Sequence, residues 1–154
     1  MKTTEILLQK LMEMEGCRLE AYYDTGGTLT IGYGHTKGVR EGDKISKYWA
    51  KELLQQDIDE VERQVRELKV ARTEGQLDAL VSFAFNLGIG RLKASSLLDV
   101  IRKGGSKAQI VREFKKWVYA GGKVMPGLVK RREWEAKRFF EVPEMTDQEI
   151  IERI

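Results

Sequence analysis

Over residues 4–14, Ile6, Leu7, Leu8, Leu11 and Met14 recur at helical spacing, with Gln9, Lys10 and Glu13 between them. That periodicity predicts an amphipathic first helix. The pattern breaks over 17–36, where Tyr22, Tyr23, Thr28, Thr30, Ile31 and Tyr33 mix with Gly26, Gly27, Gly32 and Gly34. Such a mixture predicts a small β-hairpin with Asp24-Thr25-Gly26-Gly27 as its turn. Ser46 opens a long helix to about Lys69, carrying Trp49, Leu53, Leu54, Ile58, Val61 and Val65. Thr73-Glu74-Gly75-Gln76 fits a capping box before a helix over Leu77–Leu87. That helix is apolar on nearly every side, which predicts a central, buried position, and Gly88 and Gly90 end it. A further helix is predicted over 91–102. Ser106-Lys107-Ala108-Gln109 is a second capping box, opening a helix to Trp117. Tyr119 to Gly127 reads as a loop broken by Gly121-Gly122 and Pro126-Gly127. A helix follows from Leu128 to Phe140, and Thr146-Asp147-Gln148-Glu149 caps a short last one. The predicted class is α+β and mostly helical. A small β-containing N-terminal lobe (about 12–70) and a helical C-terminal lobe (about 71–154, with the first helix, 4–14) are joined by the long helix.

The size of the chain, 154 residues with 42% hydrophobic and 33% charged content, suits one globular domain. No apolar run approaches the roughly 18 residues a bilayer span needs. The N-terminus reads as an amphipathic helix rather than a signal peptide, so the expected place of synthesis and storage is a cytoplasm. One cysteine, Cys17, forbids an intramolecular disulfide, and with a single histidine, His35, the usual Cys/His zinc site is excluded. No metal or cofactor is expected. Cys17 is read as a small buried hydrophobe. His35 is read as a structural histidine paired with an acid on the long helix, such as Asp57, and Trp49, Trp117 and Trp134 as core. Gly32-x-Gly34 and Gly88-x-Gly90 lack a nucleotide-binding pattern.

Charge changes the picture more than composition does. The net +3 is unevenly spread: residues 1–72 hold 12 Lys/Arg against 13 Asp/Glu, whereas residues 101–138 hold 12 Lys/Arg against only Glu113, Glu133 and Glu135. A basic surface of that kind draws a polyanion, nucleic acid or an anionic wall polymer. No nucleic-acid-binding module accompanies it.

The candidate chemistry lies where the first helix gives way to the hairpin. Glu15 closes the helix beside Gly16, Asp24 occupies the turn, and Thr30 sits across the hairpin. Two carboxyls facing one bond are the equipment of glycoside hydrolysis. A carboxyl against an apolar wall stays protonated and serves as an acid, while one in a polar turn stays ionised. A hydroxyl beside the second carboxylate holds a water between them, which favours inversion over a covalent intermediate. Spacing alone leaves a plainer reading open, a surface glutamate and a turn aspartate, because the chain has 24 acidic residues.

The wider context is more specific. Glu15-Gly16-x-Arg18-Leu19-x-Ala21-Tyr22-x-Asp24 followed by Thr30-Ile31-Gly32-Tyr33-Gly34-His35-Thr36 closely resembles the phage-type lysozymes, the endolysins of glycoside hydrolase family 24. Gln76–Gly88 and Ser95-Ser96-Leu97-Leu98 resemble that family's central and following helices. The stretch from Glu113 through Trp117, Gly121-Gly122 and Pro126-Gly127-Leu128 to Arg131-Arg132-Glu133 resembles the C-terminal signature of its prophage branch. The similarity covers about residues 4–140. It implies a lysozyme-like fold and cleavage of the β-1,4 bond between N-acetylmuramic acid and N-acetylglucosamine in peptidoglycan. Glu15 would be the general acid, Asp24 the second carboxylate and Thr30 the third member. By motif position Phe85, Asn86 and Ser96 line the cleft, with core packing (Phe85) and helix capping (Asn86, Ser96) as alternatives. One of Arg131 and Arg132 approaches Glu15 or a muramyl peptide carboxylate, the alternative being solvated surface. The resemblance also implies a monomer that binds no nucleic acid and reaches the wall from the host cytoplasm through a holin-like membrane permeabiliser. The competing functions are a lytic transglycosylase, against which Asp24 speaks, and a non-catalytic wall-binding domain.

Overall fold

Leu7, Leu8 and Leu11 are buried along one face of the first helix, α1 (Glu5–Glu15), as their spacing requires. The computed structural model describes residues 1–143 and 145–154. After α1 come β1 (Arg18–Tyr23) and β2 (Leu29–Gly32), the long α2 (Lys47–Glu67), α3 (Glu74–Leu87), α4 (Ile89–Ala94), α5 (Ser96–Arg102) and α6 (Lys107–Lys115). A second hairpin, β3 (Tyr119–Ala120) and β4 (Lys123–Val124), precedes α7 (Pro126–Phe139) and α8 (Asp147–Arg153). The two small sheets are both antiparallel, and the chain is a mostly helical α+β fold, as expected. Among the described residues no helix is long and apolar enough to cross a membrane.

The core gathers around α3, which packs against α7, α2, α4 and α1. Leu77, Leu80, Val81 and Phe83 are all fully buried, so the all-round apolar pattern does mark the central helix. Two polar residues are buried with them, Asp78 and Ser82. Asp78 accepts from Thr4 N (2.9 Å), Thr4 Oγ1 (2.5 Å), Arg138 Nε (3.0 Å) and Arg138 Nη2 (2.9 Å). One buried carboxylate thus ties the start of α1 to the end of α7.

The same crossing explains Gly75. A Cβ there would run into the backbone carbonyl of Arg138 and lie 3.1 Å from that of Glu141. Neither obstacle is a side chain that can swing aside. Gly75→Ala is therefore expected to cost about 1–3 kcal/mol through overpacking, read as a lower thermal unfolding midpoint.

Several boundaries differ from expectation. The helix predicted over 91–102 is two helices, because Ser95 turns extended (φ −77°, ψ 148°) and its Oγ accepts from Leu98 N to cap α5. The loop over 119–127 contains the β3–β4 hairpin, whose turn, Gly121-Gly122, has positive φ at both positions (58° and 76°), the geometry that suits a two-residue hairpin. The helix expected from Leu128 starts at Pro126, which fits a first turn that needs no N–H. Ser106–Gln109 forms the full capping box. At Thr73 only half forms: Thr73 Oγ1 accepts from Gln76 N, but the Gln76 side chain turns to Arg72 N. Cys17 is exposed rather than buried. Trp49 is 56% exposed, whereas Trp117 and Trp134 pack against the core.

Candidate active site

Gly16 (φ 67°, ψ 168°) stops α1 directly after Glu15, so the Glu15 carboxyl stands at the helix end. From there the chain enters the β1–β2 hairpin. Asp24 Oδ1 accepts from both Gly26 N and Thr28 N at 2.9 Å, and Asp24 N donates to Thr28 O at 2.9 Å. These bonds build the turn from the aspartate's own side chain. They use Oδ1 only; among the described residues Oδ2 has no hydrogen bond, and the residue is exposed. Thr30 is 3% exposed, and its Oγ1 donates to Thr28 O at 2.8 Å. Its proton therefore points into the hairpin, leaving the oxygen lone pairs free to accept.

The loop after β2 closes on Glu15. A Cβ on Gly34 would lie 3.8 Å from Glu15 Oε2. The paired Ile31 and His35 backbones hold that loop, and His35 anchors it to α2. His35 Nδ1 lies 2.8 Å from Asp57 Oδ2 and Nε2 lies 2.8 Å from Lys37 O. His35 is the structural histidine that its setting predicted.

Beneath Glu15 lies a buried polar network rather than the expected apolar wall. Arg131 Nη1 donates to Glu15 Oε1 at 2.6 Å, a charge-assisted bond. Arg131 Nη2 donates to Ser82 O at 3.1 Å, and Arg131 Nε lies 3.6 Å from Glu135 Oε2. Glu135 and Arg132 are fully buried. Glu135 Oε2 accepts from Ser82 Oγ (2.6 Å) and Arg132 Nη2 (3.0 Å). Arg132 Nη2 also donates to Asn86 Oδ1 at 2.9 Å, and its guanidinium sits over the Phe83 ring. Arg132 Nε is only 2.7 Å from Glu135 Oε1, yet the pair is misaligned and neither atom has a hydrogen bond among the described residues. Burial pushes the Glu135 carboxyl up and the Arg132 guanidinium down; their mutual attraction opposes both shifts.

Glu15, Asn86 and Arg131 line a groove of about 620 Å³, together with Met14, Met125 and Leu128. It runs between the end of α1, the β3–β4 hairpin and the start of α7. Of the other residues named from the sequence, Arg132 lies beneath the groove and Phe85 packs half-buried against the core. Ser96 lies apart from it: Ser95, not Ser96, caps α5, and Ser96 Oγ donates to Glu113 Oε2 at 2.6 Å. The +9 segment is also less of a surface than its sequence suggests, because Arg131, Arg132 and Arg138 are all buried.

Sequence reasoning missed Ser82 and Glu135. Both had signals: a serine inside an otherwise apolar helix, and a glutamate four residues after Arg131 and three after Arg132, the spacings that meet on a helix face.

Glu113 makes a separate, testable point. Lys116 Nζ (2.7 Å) and Ser96 Oγ hold its carboxyl below its ordinary value of 4.5. A carboxyl lowered in the folded state adds stability that is fully present above its unfolded value and is lost as pH falls through the folded one. The stability difference between wild type and Glu113→Gln is thus expected to be constant at neutral pH and to shrink below about 4.5. Urea unfolding across that range measures it.

The phage lysozyme family model matches residues 12–135. The chain is 42% identical over 143 residues to an endolysin of Bacillus phage B103, covering 90% of this chain and 54% of that relative. It spans about half the length of the curated Bacillus phage endolysins it matches. Among solved structures, the muramidase domain of SpmX from Asticaccaulis excentricus superposes with a TM-score of 0.83 at 30% identity, covering 92% of this chain and 99% of that one. An endolysin from Escherichia coli O157:H7 phage FAHEc1 gives 0.80 at 31% identity, covering 92% and 94%. With the helix-end glutamate, the self-capped aspartate hairpin and a match over most of its length, the chain belongs to the phage lysozyme family.

Proposed function

We propose that the chain is a muramidase that hydrolyses the β-1,4 bond between N-acetylmuramic acid and N-acetylglucosamine in peptidoglycan. The observation that carries this reading is the complementary wiring of the hairpin and the helix end. Asp24 Oδ2 and the Thr30 lone pairs are free acceptors. A water that donates a hydrogen bond to each is held with its own lone pair free to attack the anomeric carbon, and Asp24 takes the one proton that the water loses as it attacks. Glu15 gives its proton to the leaving oxygen, and Arg131, 2.6 Å away, meets the negative charge that develops on the carboxylate. Charge stabilisation of this sort acts where it is needed, at the moment of bond cleavage. Direct attack by water inverts the anomeric centre. The endolysin names of relatives and the muramidase name of a structural neighbour support the substrate class.

The same proposal takes the N-terminal lobe as about 12–70, and the C-terminal lobe as about 71–154 with the first helix. Of the residues named from the sequence, Asn86 and Arg131, which line the groove, are its substrate-side residues; Arg132 acts from beneath it, and Phe85 and Ser96 take no part. It also has the enzyme acting as a monomer, released from the host cytoplasm by a holin-like partner.

Digestion of purified peptidoglycan, followed by mass spectrometry of the muropeptides, is expected to give reducing N-acetylmuramic acid ends. Anhydro ends would replace this reading with a lytic transglycosylase, and no release at all with a binding domain. NMR of the fresh product is expected to show the inverted anomer; a retained one would make Asp24 the nucleophile.

A further inference from the structure

A second cleft, of about 370 Å³, lies at the opposite ends of α3 and α7 from Glu15. Gln76 lines it, while Asn86 lines the Glu15 groove. Ten residues of helix place them about 15 Å apart. Its floor includes Ile110, Phe139 and Phe140, and its rim carries Lys69, Arg72 and Arg102. Among the described residues no carboxylate lines it. Lys107 lies beside it, with its ammonium over the Phe140 ring. Lys69, Arg72, Arg102 and Lys107 have no acidic partner among the described residues. What marks the cleft is that three such cations, Lys69, Arg72 and Arg102, line one concave surface, with Lys107 beside it on Phe140.

Lys69 adds an independent sign. Among the described residues it is the one non-glycine with a positive φ, 57°. It follows the end of α2, where its N–H donates to Arg66 O at 3.1 Å. That position favours glycine, since an L side chain is strained there. A strained backbone thus presents a cation at the cleft edge.

We propose that this cleft binds a phosphodiester polyanion of the cell wall, a polyol phosphate strand, while the Glu15 groove takes the glycan. Arg72 and Arg102 offer forked donors that suit phosphate oxygens. A nucleic acid strand would also present phosphates, but its bases need open aromatic faces on which to stack. Here Phe139 is 2% exposed and Lys107 covers Phe140. A polymer without bases fits better. The wall as its source rests on the proposed muramidase reading; polyanion binding itself does not.

The test is titration of the intact protein with poly(glycerol phosphate) at low salt. Lys69→Gly and Arg102→Gln are each expected to weaken binding about three- to five-fold, and rising salt to weaken it further. Lys69→Gly relieves the left-handed strain, so its thermal midpoint stays unchanged or rises, which separates lost binding from lost folding. Lys51→Gln removes the same charge from the exposed face of α2 and is expected to leave binding intact. An equal loss in Lys51→Gln, or no loss in Lys69→Gly, overturns the site. Equally tight binding of a single-stranded polynucleotide, with the same sensitivity to Lys69→Gly, overturns the polyol assignment. Glycan stripped of the polymer is cleaved equally by wild type and Lys69→Gly. If wild type leaves that glycan uncut, the muramidase reading and the wall source fall, and the polyanion site stands on the titration alone.

Discussion

Glu15→Gln is expected to lower peptidoglycan turnover by about 10²–10⁴-fold, the usual share of a positioned general acid. The amide keeps the size of the carboxyl and its acceptor oxygen, so Arg131 retains a hydrogen bond at the helix end. What the amide lacks is the proton for the leaving oxygen and the negative charge that Arg131 meets as that proton departs. The loss should therefore fall on kcat rather than KM, because substrate contacts along the groove are untouched. Folding should change little: Gly16 still ends α1, the Glu15 side chain is 23% exposed, and Arg131 keeps Ser82 O and the nearby Glu135. Steady-state kinetics with a circular-dichroism melt check both halves. Full activity in a well-folded Glu15→Gln protein would falsify the mechanism.

Local patterns made most of the fold readable. The Leu7–Leu8–Leu11 face, the β1–β2 turn built on Asp24 and the caps at Ser46 and Ser106 are short-range features, and each forms where it was predicted. The differences arise where one residue decides between equally local alternatives: Ser95 breaking a helix in two, Gly121-Gly122 closing a hairpin, Trp49 left on the surface. The candidate site was legible as residue types and not as wiring. Glu15 and Arg131 are 116 positions apart, and nothing local says whether an apolar wall or a guanidinium will face the carboxyl. Glu135 was hidden for a related reason. In sequence it is one more acid on a charged helix, and only packing of α7 against α3 turns that face inward.

That buried face makes the largest stability prediction. Glu135→Ala is expected to cost about 3–5 kcal/mol, the range for breaking a buried ion pair from one side. Glu135 and Arg132 are both 0% exposed, and Arg131 is 6% exposed. Without Glu135 these two guanidiniums share only the carboxylate of Glu15, which reaches Arg131 alone. Ser82 Oγ also loses its acceptor. The network has little slack to absorb the change, since among the described residues Arg131 Nε, Arg132 Nε, Arg132 Nη1 and Glu135 Oε1 already lack hydrogen-bond partners. Against a total stability of about 5–15 kcal/mol, the loss is a large fraction, and a thermal midpoint lower by about 10 °C is expected for a chain of this size. Removing both charges is different in kind. Glu135→Leu combined with Arg132→Leu takes away the desolvation cost along with the attraction, so the double variant should be more stable than Glu135→Ala. Urea unfolding of the single and double variants gives the comparison, with an unchanged m-value as the check that the unfolded state is the same. A Glu135→Ala cost below about 1 kcal/mol, no more than an exposed pair contributes, would mean that water reaches these guanidiniums and that the charge beneath Glu15 is solvated rather than held by Glu135.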